Sequence, residues 1–593
     1  MKKLIILLLS VLLLMSGCTK EPEEVVTGEH NAEFETYLDE LLVDLYSPDD
    51  FGINFSFVKP EDFGIEVEPY VLGFTSLEDY QEGIEEAKAI INELKEFDNS
   101  KLSLQQQIDK QVIIESLQKG VEMADYYDYE IGSVMLGYSR NVMGSLPAYL
   151  ETYVFRTQSD VDSYFNMIET MPEYIQKYVD LELERQKNGT GFGQEEIDEI
   201  IKVNNATIID ASSDSFYLIA HFNNTIDSLD FMDDAAKSAA KLKNAELLKT
   251  KFVDSYKLVV DALSKVTAKP STGLANRPNG KAYYELLIQQ ETGKKASIAD
   301  INKLLDEKEN EIYTYFAAHR ENLLDWEQKY LADEFGDFTD GRQLLDLIQA
   351  MYINDFPKIE NPNYTLRKVD ESMSASSSPA FYFTPPVDYS NNESQVIYIN
   401  GDFENSLYTT YAHEGLPGHM YQFSYFLTLD EMHPIRSAFS YSSNAEGWAN
   451  YAEKLAVKYV QDEDFAEFYT YYSRLTEIVY IRMDIGINYT GWSFDEFLDY
   501  FKSQFSVDLN NEDTVKSLKE AYLQFVHSPA AFPTYFLSCI YISDMKQHAM
   551  QELDELYNEV EFHKAILDVG SASMSVMEES VERYIKATIE ANK

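Results

Sequence analysis

The chain has 593 residues, with 102 acidic side chains against 48 basic ones and a formal net charge of −54 at pH 7. That balance excludes a nucleic-acid binder, which needs clustered Lys and Arg to neutralise phosphate. It equally excludes an electrostatic grip on anionic lipid headgroups, and it favours cationic substrates and metal ions within the roughly 8 Å that salt leaves unscreened.

The first stretch, "MKKLIILLLSVLLLMSGCTK", sets Lys2 and Lys3 before a short apolar run from Leu4 to Met15 that Ser16-Gly17-Cys18 closes. The run is too short to span a bilayer and has the order of a secretory signal. Its end resembles the lipobox of bacterial lipoproteins, although Met15 stands where such boxes usually carry Leu. The resemblance implies cleavage before Cys18, a diacylglyceryl group on its sulfur, and a chain held by that anchor at the bacterial cell surface. Residues 1–17 are then the signal peptide and residues 18–32 a polar, acidic tether. Cys539, the only other cysteine, sits in the apolar run "YFLSCIYIS" and is expected to be inert core. An acylated Cys18 leaves no disulfide, and a chain of this length does not need one.

Beyond the tether, apolar residues recur every three or four positions through "NAEFETYLDELLVDLYS", "SLEDYQEGIEEAKAIINELKEF" and "SLQQQIDKQVIIESLQKGVEMADYY". No repeat of fixed period appears, so a solenoid is rejected. Residues 268–281, "AKPSTGLANRPNGK", break the helical pattern and read as a linker between an N-terminal helical lobe (33–267) and a catalytic lobe (282–593). Length alone suggests about four domains; two interlocking helical lobes around a cleft fit the pattern better. Two β-like patches, "AFYFT" and "SQVIYIN", predict a small sheet just ahead of "YAHEGLPGHMYQ" at 411–422.

That last stretch carries His413, Glu414 and His419. A hydrolytic zinc site needs three protein ligands, an open position for water, a carboxylate base and an oxyanion donor. On a straight helix the six-residue step from His413 to His419 is a turn of about 240° and a rise of about 9 Å, too far for one metal. Pro417 offers no N–H and Gly418 accepts unusual dihedrals, so the helix is expected to break or bulge and return His419 towards His413. Glu446 and Glu453, seven apart in "SSNAEGWANYAEKLAVKY", share one helix face, and either could be the third ligand.

Residues 280–585 resemble the DUF885 family, whose members carry H-E-x-x-P-G-H-x-x-Q and E-G-W-A-x-Y-x-E. Here these read His413 to Gln422 and Glu446 to Glu453, with "PAFYFTPP", "HPIRSAF", "RMDIGINYTGWS" and "SPAAFPTY" as flanking blocks. The first 265 residues match only loosely. The resemblance implies a mainly α, two-lobed, zincin-like metallopeptidase of gluzincin type, with the small sheet beside the active-site helix. It implies one zinc per chain on His413, His419 and Glu446, with Glu414 as general base and acid and Tyr535 as oxyanion donor. Arg436 and Arg482 are candidates for a peptide's terminal carboxylate, against structural pairing with the many acids. His433 and His527 are read as structural. Three departures, Asn488 for His, Ala531 for Gln and Phe536 for Lys, fall in blocks expected to line the cleft and bear on substrate choice.

The expected activity is hydrolysis of peptides at the surface. A metallohydrolase of a non-peptide amide and a binding lipoprotein without chemistry are the alternatives, and an intact Glu414 speaks against the second. The anchor is tested first: Cys18→Ala should release the protein from membranes while leaving the folded domain intact, as fractionation would show. A variant that stays membrane-bound after its signal is removed would overturn the lipobox reading.

Overall fold

A computed structural model describes residues 28–132, 142–333, 335–360, 362–369, 378–389, 394–505 and 507–593. The signal peptide and Cys18 lie outside the described residues. The chain is mainly helical, and no helix among the described residues is long and apolar enough to cross a membrane. Residues 28–32, the expected end of the tether, are already tied to the body. Gly28 N–H donates to the Leu102 carbonyl, and Asn31 caps the helix Ala32–Leu45. That helix buries Phe34, Leu38, Leu41 and Leu42, the one-faced stripe its spacing predicts. Capping boxes start the next long helices: Ser76 with Asp79 opens Leu77–Glu96, and Ser103 with Gln106 opens Leu104–Glu122.

One continuous apolar cluster runs from Phe34 to Ile585, and a smaller one gathers Val479, Met483, Ile487, Phe497 and Phe525. The core does not divide at residues 268–281. Ser271 and Leu274 are buried there, and Leu274 N–H donates to Asn488 Oδ1 at 3.2 Å. A Cβ on Gly273 would stand 2.2 Å from the Ile487 carbonyl oxygen. The Pro- and Gly-rich composition serves a strap packed closely on other backbone, and not an exposed spacer between two separate cores.

Six helices build the site region: α1 (Gly280–Thr292), α2 (Tyr408–Glu414), α3 (His419–Phe426), α4 (Ser442–Ala456), α5 (Glu463–Ile485) and α6 (Ser538–Leu553). Ahead of α2 lies a sheet of β1 (Tyr364–Lys368), β2 (Ala380–Tyr382) and β3 (Gln395–Ile399), in the order β1-β3-β2. β3 pairs parallel to β1 and antiparallel to β2, and its residues 395, 397 and 399 face the core. β2 and β3 fall in the two patches the sequence marks. β1, "YTLRK", has a burial pattern with one buried residue and was not anticipated.

Asp484, at the end of α5, holds several of these parts together. Its Oδ1 accepts from Tyr284 of α1 at 2.6 Å, from Asn488 Nδ2 at 3.1 Å and from Ala530 N–H at 3.2 Å. Ala530 has a left-handed φ of 64° and starts the turn into the π-helical segment Pro533–Leu537 and then α6. Full burial pushes the Asp484 carboxyl up to about 7 against these donors. A carboxyl raised above its unfolded value stabilises the fold when protonated and loses that contribution as pH rises from about 4 to about 7. The wild type should therefore lose stability relative to Asp484→Asn across that window, by at most about 1.4 kcal/mol per pH unit, and show a constant difference above it. Parallel urea curves for the two proteins from pH 4 to pH 7 would refute the assignment.

Candidate metal centre

α2 ends on the pair that matters, His413 and Glu414. The helix then stops, because Gly415 takes φ −104° and ψ −106°, and α3 begins on His419. Pro417 has no N–H to continue the ladder. Gly418 instead donates back to the Ala412 carbonyl at 2.9 Å, so close to α2 that a Cβ would stand 1.8 Å from the His413 carbonyl oxygen. From α4, Trp448 Nε1 donates to the Pro417 carbonyl at 3.0 Å and pins the break. The expected interruption is present, and it brings the two imidazoles to 4.7 Å between ring centres, perpendicular to one another.

α4 supplies the carboxylates. Glu446 Oε2 lies 3.5 Å from His413 Nε2 and 3.6 Å from His419 Nε2. It is buried and has no hydrogen-bond partner among the described residues, and neither has His419 Nδ1. An orphaned buried carboxylate oxygen is costly unless something positive meets it. Ligands about 2.1 Å from zinc at tetrahedral angles stand about 3.4 Å apart, close to the two separations here. His413, His419 and Glu446 are the one group of three such donors within 4.8 Å of each other among the described residues. Two imidazoles and a carboxylate fit zinc by chemistry as well as by spacing.

Glu453, the rival ligand in the sequence, reaches the other side of the same ring. Its Oε2 accepts from His413 Nδ1 at 2.9 Å, which leaves Nε2 to face the gap. A bond of this kind fixes an imidazole in one tautomer and one orientation.

In the metal-free protein, burial opposes a charge on His413, but the Glu446 and Glu453 carboxylates outweigh it and hold the ring's pKa up to about 10. Burial also opposes ionisation of Glu446, yet the two imidazoles hold its carboxyl well below the usual carboxylate range. Metal binding has to displace that imidazolium proton. Burial pushes Glu414 upward, against the pull of His413, His419 and an N–H from Tyr382 of β2. Strand β2 thus borders the proposed base.

The remaining sequence candidates fall in different places. Tyr535 is half-buried in the segment Pro533–Leu537, which packs against α4. Both arginines are taken. Arg436 is 3% exposed and bonded to Asp109 and to the Val569 and Ser571 carbonyls, while Arg482 pairs with Asp306 at 2.6 Å and Glu309 at 2.8 Å. Arg436 is buried within these contacts and Arg482 holds two carboxylates, so the structural pairing weighed in the sequence is what both show. His433 lies 3.2 Å from Asp39, and His527 is buried near Glu196. Asn488 does not line a cleft; it is fully buried, donating to Asp484 and the Phe525 carbonyl. Ala531 and Phe536 are half-buried, the latter stacked on Phe532. Cys539 is buried core.

Several residues inside the quoted motifs do work the sequence reading did not assign. Gln422 donates to Asn444 Oδ1 at 2.8 Å and joins α3 to α4. Gly447 lets α6 close in, since a Cβ there would stand 2.6 Å from Ser538 Cβ. Their fixed places inside the motifs were the available signal.

The model of a family described as "Bacterial protein of unknown function (DUF885)" matches residues 63–581. The chain belongs to the DUF885 family. The match reaches well into the N-terminal half, where the motifs alone had shown only a loose likeness. Among solved structures, this DUF885 chain is similar to a "putative lipoprotein" from Colwellia psychrerythraea, with a TM-score of 0.78 and 16% identity over 94% of this chain and 99% of that one. It is also similar to a "putative lipoprotein of unknown function" from Shewanella oneidensis, with a TM-score of 0.61 and 16% identity over 92% and 98%. At such identity the likeness is one of fold. No curated protein matches the chain.

The approach of Gly418 to His413 makes the site sensitive to a single methyl group. Gly418→Ala should push the two histidines apart and lower bound zinc to well under one per chain, while far-UV dichroism stays helical. Full zinc content in that variant would show that the His413 carbonyl can give way.

Proposed function

We propose that this DUF885 chain is a zinc-dependent metallopeptidase, held at the bacterial surface by a lipid on Cys18. The observation that carries the reading is Glu446 Oε2, buried without a hydrogen bond between two imidazole nitrogens, with Glu414 next to the first histidine. His413, His419 and Glu446 would hold the zinc and Glu453 would keep His413 turned towards it. When bound, zinc supplies Lewis acidity and lowers the pKa of water towards ~7.

Glu414 does the proton work in this reading. It follows a ligand directly, so its side chain leaves the helix about 100° from that of His413. Burial raises its pKa, which suits a group that must accept a proton and then release it. In the hydrolysis, water adds its oxygen to the peptide carbonyl carbon and Glu414 takes the proton. The C–N bond then breaks, and Glu414 returns that proton to the leaving nitrogen. Tyr535, on the segment packed against α4, is the candidate donor to the carbonyl oxygen. The lipoprotein descriptions of the two structural relatives support the anchor.

The test measures zinc, melting and turnover on one preparation against a mixture of short peptides with free and blocked ends. Glu414→Gln should keep wild-type zinc and melting while cleavage falls by ~10²–10⁴-fold. Glu446→Ala should lose more zinc than Glu453→Ala; the reverse ranking would make Glu453 the ligand. Near wild-type cleavage by Glu414→Gln with zinc bound would remove Glu414 from its role. A zinc-loaded wild type that cleaves no peptide would shift the reading to a non-peptide amide.

A further inference from the structure

We propose that Lys454 is a positioning residue of the metal centre, linked through Glu453 to His413. It lies on α4 beside Glu453 and is only 5% exposed. Its Nζ stands 3.5 Å from Glu453 Oε1, while Glu453 Oε2 takes the His413 Nδ1 proton at 2.9 Å. An ammonium and an imidazole thus hold the two oxygens of one carboxylate, and neither oxygen can turn without disturbing the other. Nζ also donates to the Asn450 carbonyl at 2.9 Å, and the Asn450 side chain donates to the Glu446 carbonyl at 2.9 Å. Both of these acceptors are main-chain carbonyls and seat the lysine on α4, so its link to a proposed ligand runs through Glu453 to His413.

The rest of the network fixes the lysine itself. Glu477 Oε1 of α5 lies 2.7 Å from Nζ, and its Oε2 lies 3.2 Å from Arg474 Nε. Arg474 Nη2 donates to Ser543 Oγ of α6 at 2.8 Å, and Cys539 Sγ of α6 stands 3.9 Å from Nζ. Glu453 and Glu477 carry two negative charges, Lys454 and Arg474 two positive ones, so the cluster is neutral. Lys454, Arg474 and Glu477 are all buried. A buried ion cluster is a poor source of stability, since apolar residues of similar volume often serve as well. Orientation of the ligands gives these ions a purpose that helix packing alone does not.

The inference rests on the metal reading of the site, and its test reads zinc affinity and not cleavage. Zinc is titrated into the metal-free full chain in competition with a chromogenic chelator, and melting of the metal-free protein is recorded beside it. Lys454→Met should bind zinc about 10–100-fold more weakly, the loss typical of outer partners. A charge acting only through space gives the opposite sign, because removing a nearby cation tightens zinc binding. The double variant Lys454→Met with Glu477→Gln keeps the net charge, guards against misfolding of the single one, and should show the same loss. Unchanged or tighter zinc binding in a folded variant overturns the inference, and so does lower melting with unchanged affinity, which marks a helix clamp only. A wild type that binds no zinc overturns the metal reading itself, and the inference with it.

Discussion

The His413 carbonyl oxygen leaves no room for a side chain on Gly418, and the rest of the site depends on that close approach. A continuous helix would separate the two histidines by about two-thirds of a turn and about 9 Å. Stopping α2 at Glu414 and restarting α3 at His419 replaces that separation with a fold of the backbone onto itself, held by Gly418 N–H on Ala412 and by Trp448 on Pro417. The aromatic residue of the second motif is therefore a clamp on the first. Gly447 beside it lets α6 close on α4, so the Glu-Gly-Trp run places a proposed ligand, a close helix contact and a clamp in three consecutive residues.

How much of this was legible follows from what a sequence encodes locally. Capping boxes at Ser76 and Ser103 and the apolar stripe of Ala32–Leu45 are local, and the helices begin where those signals stand. The break between the histidines was legible for the same reason, since Pro417 and Gly418 act on their own backbone. Glu446 and Glu453 could not be separated, because helical period assigns a face but not which side of a partner's ring each residue meets. The partners of the arginines were not legible because ion pairing is non-local: Asp109, which holds Arg436, is 327 positions away in the chain. At 268–281, composition marked an irregular backbone correctly, but a packed strap and an exposed spacer use the same residues.

The family match adds a different kind of knowledge. It assigns the chain to DUF885 over residues 63–581 and says nothing of chemistry. The chemistry has to be argued from the side chains, and the buried polar atoms without partners carry most information there. A fold satisfies nearly all its buried polar groups. Glu446 Oε2 is one of several buried atoms among the described residues that fail that rule, and its place between two nitrogens whose spacing suits a metal sets it apart.

Charge counted outward from Glu446 is consistent with the divalent cation proposed above. Glu446 and Glu414 contribute two negative charges at the centre when ionised, and a divalent ion cancels both. Around them Glu453 faces Lys454, and Glu477 faces Lys454 and Arg474, so the outer shell cancels by itself. The Glu446 and Glu453 carboxylates hold the His413 pKa up against burial, and burial pushes Glu414 upward. Protons and metal therefore compete for one deficit of charge. The formal charge of −54 over the whole chain is largely screened at a distance. The local deficit is buried, where screening is weak, and so the proposed metal reading rests on the few carboxylates around the histidines and not on the acidic surface.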